Sequence, residues 1–306
     1  MKHTADSIVQ VNLNVKPLEK VLVVTDTRMM KFGKLIYDAS RRINLETTMM
    51  VMESTGRHGA EPNELVAEAM KKSDVVVAPT AFSISHTKAR REATQAGARI
   101  ATMPNVSMVS FTKGGLTADY SKVRELSEKM HEKMKDVEEI EVSSKSGTQV
   151  RMNVAGKKWE KDDGFIINPS DFGNLPAGEV ETAPIEGTAE GKVVFDIFSD
   201  FTKKIELNVK NGEVEKTNYP SLEKIFSQFP KARNIGEIGI GTNPKSKLVQ
   251  NVLEYEKMFG TVHLALGNNM SYGGKVDVPF HEDGLILKPT LIADGKTIIK
   301  NGKWTI

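Results

Sequence analysis

Four short apolar runs, separated by helical patterns, constrain the first 115 or so residues more than any other feature of this chain. Lys20 to Asp26 (KVLVVTD), Thr47 to Glu53 (TTMMVME), Asp74 to Pro79 (DVVVAP) and Arg99 to Thr102 (RIAT) read as buried strands, rich in β-branched residues and ending in polar or turn residues. Between them Lys31 to Ile43, Pro62 to Lys72 and His86 to Ala96 carry apolar or small residues at helical spacing, with Pro62 suited to a first helical position. Strands and helices alternating in this way predict an α/β domain with a mainly parallel sheet over residues 1–120. Ligands of such sheets bind beyond the carboxyl ends of the strands, which places Asp26, Thr80 and the loop holding Arg57 and His58 beside any cleft. The turn after the first run, TDTRMMKFG, contains neither GxGxxG nor GxxxxGK[ST], so no dinucleotide or P-loop site is expected.

The text changes after Ser121 to Val137, where Val123, Leu126, Met130, Met134 and Val137 share one helical face opposite many charges. Residues 121–137 are therefore expected to form a linking helix, and 138–306 a β-rich α+β domain. Strand and turn patterns dominate there: EIEVSS, TQVRMNV, Gly191 to Asp196 and Lys204 to Val209, with AsnGly turns at Asn211 and Asn301. Helices are expected over Ser221 to Phe229 and Lys245 to Met258.

Composition narrows the function. The absence of cysteine excludes disulfides, thiolate zinc sites, iron–sulfur clusters and cysteine nucleophiles, leaving His, Asp, Glu or water to hold any metal. With 42 basic and 40 acidic residues well mixed, there is no basic field for nucleic acid, and a peptide or small-molecule substrate is favoured. The N-terminus lacks the apolar core of a signal peptide, and no window approaches the roughly 18 apolar residues of a membrane span, which predicts a cytoplasmic protein.

Of six histidines, two fall in the β-rich half clear of the linking helix. His281 and Asp283 form an H-x-D pair on one face of an extended strand, able to place an imidazole nitrogen and a carboxylate oxygen around one cation. His263 sits in a short apolar run. Glu179 and Glu237 lie among apolar and glycine residues, where a carboxylate needs an ion-pair partner such as a lysine, or a metal. Together the five could supply two adjacent divalent ions about 3.5–4 Å apart with a bridging hydroxide. Ser83, Ser85 and His86 read as capping before the KARREA helix rather than as nucleophilic machinery, because no G-x-S-x-G elbow is present.

The strings NLPAGEV, TAP at Thr182 to Pro184, GEIGIGTNP, HLALGNN and HEDG, in that order, resemble the thermophilic metalloaminopeptidase family known as aminopeptidase T or leucyl aminopeptidase; DVVVAPTAFSISHTKARREA and GARIATMP extend the resemblance over nearly the whole chain. It implies a homodimeric hydrolase that releases N-terminal residues from peptides, with two zinc, cobalt or magnesium ions on Glu179, Glu237, His263, His281 and Asp283, and Glu237 handling the proton. The family's tyrosine, seven positions after the first histidine, is here Met270, and Tyr272 is the nearest phenol, the candidate for oxyanion stabilisation. The same superfamily includes dihydroxypyridine ring-cleaving dioxygenases; in that alternative His263, His281 and Asp283 form the facial triad of one Fe(II). A non-catalytic metal or small-molecule binding protein is the second alternative.

Overall fold

All four apolar runs become parallel neighbours. In the computed structural model, which describes residues 1–198 and 204–306, they form β1 (Val21–Asp26), β2 (Thr47–Met52), β3 (Val75–Ala78) and β4 (Arg99–Thr102). The sheet order is β2-β1-β3-β4 followed by Phe172–Asn174, every pairing parallel. Val21, Val23, Val75 and Val77 pack on one face with Ile8, Leu13 and Ile36. Leu22, Val24, Val76 and Ile100 pack on the other with Val66, Met70 and Ala93. Both faces of the sheet are covered, which is why the central strands β1 and β3 are apolar over most of their length, and each fully buried Val or Leu contributes roughly 1.5–3 kcal/mol.

Capping sets where the helices begin. Asn63 accepts the Val66 N–H at 3.0 Å and Thr87 accepts the Arg90 N–H at 3.2 Å, so the helices run Glu64–Lys71 and Lys88–Gln95, starting after Pro62 and His86.

The chain divides into two units, each drawn from separate stretches: Met1–Arg124, Asp162–Ala177 and Lys245–Glu254 in the first; Glu125–Lys161, Gly178–Pro244 and Tyr255–Ile306 in the second. The helix Tyr120–Met134 contains the first division. The expected helix over Lys245 to Met258 does not form as such; only Val252–Tyr255 is helical. Local hydrogen bonds replace it: Asn251 Nδ2 donates to the Asn105 carbonyl at 2.9 Å, and the Glu254 carboxylate accepts from the Gly115 and Lys247 N–H groups at 2.6 and 3.0 Å.

The second unit is β-rich. An eight-stranded sheet runs Glu213–Thr217, Ile205–Lys210, Glu190–Phe195, Gln149–Asn153, Glu139–Ser143, Thr290–Ala293, Lys296–Lys300, Lys303–Trp304. Two of its hairpins turn at Asn211–Gly212 (φ 50° and 77°) and Asn301–Gly302 (φ 50° and 78°), the left-handed pair that matches strand twist. A six-stranded sheet runs Ile197–Phe198, His281–Ile286, Val262–Gly267, Ile235–Gly241, Glu179–Thr182, Glu160–Asp162. One apolar cluster joins the two sheets, with Ile140, Val193 and Leu207 from the larger and Val180, Ile238 and Leu264 from the smaller. The fold is thus the expected pairing of an α/β unit that has a parallel sheet with a β-rich α+β unit. Among the described residues no helix is long and apolar enough to cross a membrane.

Candidate metal centre

Four strands of the six-stranded sheet put opposite chemistry on their two faces. In antiparallel pairing, residues directly opposite share a face. Glu179 faces Gly241 and Glu181 faces Gly239; Gly239 also faces His263; Ala265 lies between Glu237 and Asp283; Gly267 faces His281. One side therefore gathers Glu179, Glu181, Glu237, His263, His281 and Asp283, while Val180, Ile238, Ile240, Leu264, Leu266 and Ile286 enter the core. Strict alternation would send Glu237 to the same side as Ile235. A register shift between these two leaves Gly236 as the extra residue, and the bulge turns Glu237 out of the core. Glycine also makes room: a Cβ at Gly239 would lie 2.1 Å from His263 Cε1.

The side chains converge closely. His263 Nε2 lies 3.2 Å from Glu237 Oε1 and 3.6 Å from Glu179 Oε2; His281 Nε2 lies 3.2 Å from Glu237 Oε2 and 3.6 Å from Asp283 Oδ1. Two donor groups result, Glu237–His263–Asp283 and Glu179–Glu181–His263, each with its ligand atoms within 4.8 Å of one another. Glu179, Glu237 and His263 are buried; His281 and Asp283 keep 25% and 15% of their side-chain surface. The Tyr272 ring stacks on the His281 ring, centroids 5.3 Å apart. Lys257 pairs with Glu179 and, at 2.9 Å, with Glu256.

So much negative charge in one place shifts several of the groups around it. Burial pushes the Glu181 carboxyl well above its ordinary range, and the charges of Glu179 and Glu237 push it further. Glu256 is raised to about 7, by burial before all else, with Lys257 opposing and Asp283 and Glu179 adding to the rise. Burial would raise Glu237 as well, but its contacts with His263 and His281 win and hold it well below the carboxylate range. Burial disfavours charge on both histidines, yet contact with Glu237 and nearby carboxylates lifts His263 to about 9; Asp283 and Glu237 raise His281 well above its ordinary value. Burial, then the charges of Glu237, Glu181, Asp283 and Glu179, keep the Tyr272 phenol protonated far above its usual range.

These residues fit a divalent cation. Carboxylate oxygens and imidazole nitrogens on one face are the donor set a divalent ion takes, and the buried Glu179 Oε2 has no hydrogen-bond partner among the described residues. His281 supplies the sharper observation: its Nδ1 lies 2.8 Å from the Asn268 carbonyl, which can only accept, so Nδ1 carries the proton and Nε2 is directed at Glu237 and Asp283. Fixing an imidazole through its other nitrogen is how metal-bound histidines are oriented.

The structure brings together all six residues singled out from the sequence: Glu179, Glu237, His263, Tyr272, His281 and Asp283. It adds three that were not singled out. Glu181 was readable, since Glu179-Val180-Glu181 alternates on a strand; Glu256 and Lys257 follow a short helix and carry no periodic signal. In the first unit, the Asp26 carboxylate accepts N–H bonds from Arg28, Met29 and Ala81, a loop-holding role. His58 accepts the Ser83 N–H at 3.1 Å and meets Phe82 edge-on, while Ser85 is bonded to Ser83, Thr102 and Asn174.

Comparison with known proteins decides the family. The family model described as 2,5-dihydroxypyridine 5,6-dioxygenase (NicX) matches residues 13–306. The chain belongs to the NicX family. A 2,5-dihydroxypyridine 5,6-dioxygenase of Pseudomonas putida is 22% identical over 192 residues, an alignment covering 55% of this chain and 55% of that protein, so the match spans about half the relative's length. The solved 2,5-dihydroxypyridine dioxygenase of P. putida KT2440 superposes with TM-score 0.81 at 18% identity, covering 99% of this chain and 96% of that one. AmpT from Thermus thermophilus superposes with TM-score 0.73 at 16% identity, covering 100% and 98%. The aminopeptidase T resemblance thus holds for the fold, which the two solved proteins share with this chain. Its functional implication does not hold: NicX family membership overturns the expected aminopeptidase, and hydrolase and protease chemistry with it. The motifs misled because they specify a carboxylate–imidazole face and leave the reaction carried out on it open.

Proposed function

We propose that this NicX family member is a ring-cleaving dioxygenase for a small dihydroxylated pyridine, with one Fe(II) on His263, His281 and Asp283. The observation that carries the reading is the presentation of His281 Nε2, fixed by the Asn268 carbonyl, beside Asp283 and on the same sheet face as His263. Two imidazoles and one carboxylate leave a ferrous ion open positions for substrate and oxygen, the chemistry such a group supplies when bound.

The chain's own residues do the rest. The partly exposed His281 and Asp283 mark the side from which a small planar substrate enters. Glu237, ionised and with an oxygen 3.2 Å from each Nε2, faces the space those two nitrogens share and adds negative charge beside the ion. The Tyr272 phenol, kept protonated, donates a hydrogen bond to a substrate oxygen. Two copies per assembly belong to the proposal, to be checked by light scattering. The deciding assay loads the protein anaerobically with Fe(II), adds 2,5-dihydroxypyridine and admits oxygen. One oxygen molecule consumed per ring lost is expected; no uptake with the iron retained would remove the dioxygenase reading.

A further inference from the structure

The geometry points to Lys257 as the site's built-in second cation, which limits the centre to one divalent ion; this rests on reading the site as a metal centre. Two donor groups lie side by side, and their composition alone suits two ions. The second group, Glu179–Glu181–His263, is already engaged, because the Lys257 ammonium binds Glu179 Oε1 and lies 2.9 Å from Glu256 Oε1. The ammonium is built in: its side chain is 3% exposed, and the backbone carrying it is fixed by the Asn243 N–H, which donates to the Lys257 carbonyl at 2.9 Å. A divalent ion on the Glu179 group would sit against that buried positive charge with little solvent between them.

His263 points the same way. Its Nε2 lies 3.2 Å from Glu237 and 3.6 Å from Glu179, and that nitrogen's single lone pair serves one metal. With Lys257 holding Glu179 and Glu256, that lone pair is left to the Glu237, His281 and Asp283 side. Lys257 is thus a positioning residue that acts through Glu179 and fixes how many ions the site takes.

The test counts metal. Chelator-stripped wild-type protein, Lys257→Met and Lys257→Met/Glu256→Gln are titrated with Co(II), with bound cobalt read by elemental analysis and by its visible spectrum, and folding followed by circular dichroism. Wild type is expected to stop at one equivalent, and Lys257→Met to accept a second at least about tenfold more tightly than wild type does. The double variant removes one of the two carboxylates left unpaired, and is scored by the same count if the single variant does not fold. Two equivalents in wild type, or one in the folded variants, overturn the inference. No bound cobalt at all overturns both this inference and the metal-centre reading. One equivalent without oxygen uptake on iron loading leaves Lys257 its role and removes only the dioxygenase.

Discussion

β1 and the strand Ile235–Gly241 are both buried along their whole length, yet they are built for different ends. β1 presents Val21 and Val23 to one apolar cluster and Leu22 and Val24 to another, so both faces hold the unit together. The Ile235–Gly241 strand gives Ile238 and Ile240 to the core and Glu237, Gly239 and Gly241 to the carboxylate–imidazole side. Burial alone therefore does not distinguish a structural strand from a functional one. What differs is whether the second face carries side chains that stabilise, or glycines and charges that leave space and field for a ligand.

This comparison breaks if stability and metal binding cannot be separated on the second strand. The largest expected effect is Ile238→Ala, which should lower the unfolding free energy by about 2–5 kcal/mol in denaturant titration while retaining the metal count. Val23→Ala on β1 should also destabilise, and loss of metal in the Ile238 variant would show that its two faces are not independent. Gly239→Ala should act in the opposite sense: a methyl group 2.1 Å from His263 displaces the ring and weakens metal binding by about 10- to 100-fold, with a smaller change in unfolding midpoint. Unchanged affinity would show that the glycine is not what seats the imidazole.

The smallest effect separates the first unit by pH. Burial acts to raise Glu19, but hydrogen bonds from Arg99 at 2.9 and 2.6 Å and from the Lys16 N–H hold it below its ordinary 4.5. A carboxyl lowered by folding contributes stability above its unfolded value and loses it as pH falls through the folded one. Wild type should therefore exceed Glu19→Gln in stability at neutral pH, and the difference should shrink on acidification below 4.5. A constant difference across that range would show that Glu19 acts by packing rather than charge.

Legibility followed the same divide. β1 and β3 stood out because strands covered on both faces are apolar over most of their length, and the partly exposed edge strand β2 was legible from its methionine and valine run. The imidazole and carboxylate ligand candidates were visible because a charge among glycines and apolar residues is locally anomalous. Lys257 and Glu256 were not, since their proximity to Glu179 depends on chain pairing 78 residues apart in sequence. The expected helix from Lys245 also failed for a nonlocal reason: Asn251 and Glu254 spend their polar groups on distant backbone at Asn105 and Gly115. Activity was the hardest to read, because ligand types and spacing specify a metal-binding face and leave its reaction open.

The acceptor that orients His281 is a main-chain carbonyl, and that has an evolutionary consequence. Every amino acid brings the same carbonyl, so no substitution at position 268 can delete it. The imidazole's aim is inherited from the path of the chain and insulated from mutational drift in the side chains that follow. Met270, Ser271 and Lys275, all exposed, can thereby vary without removing the acceptor that aims the histidine.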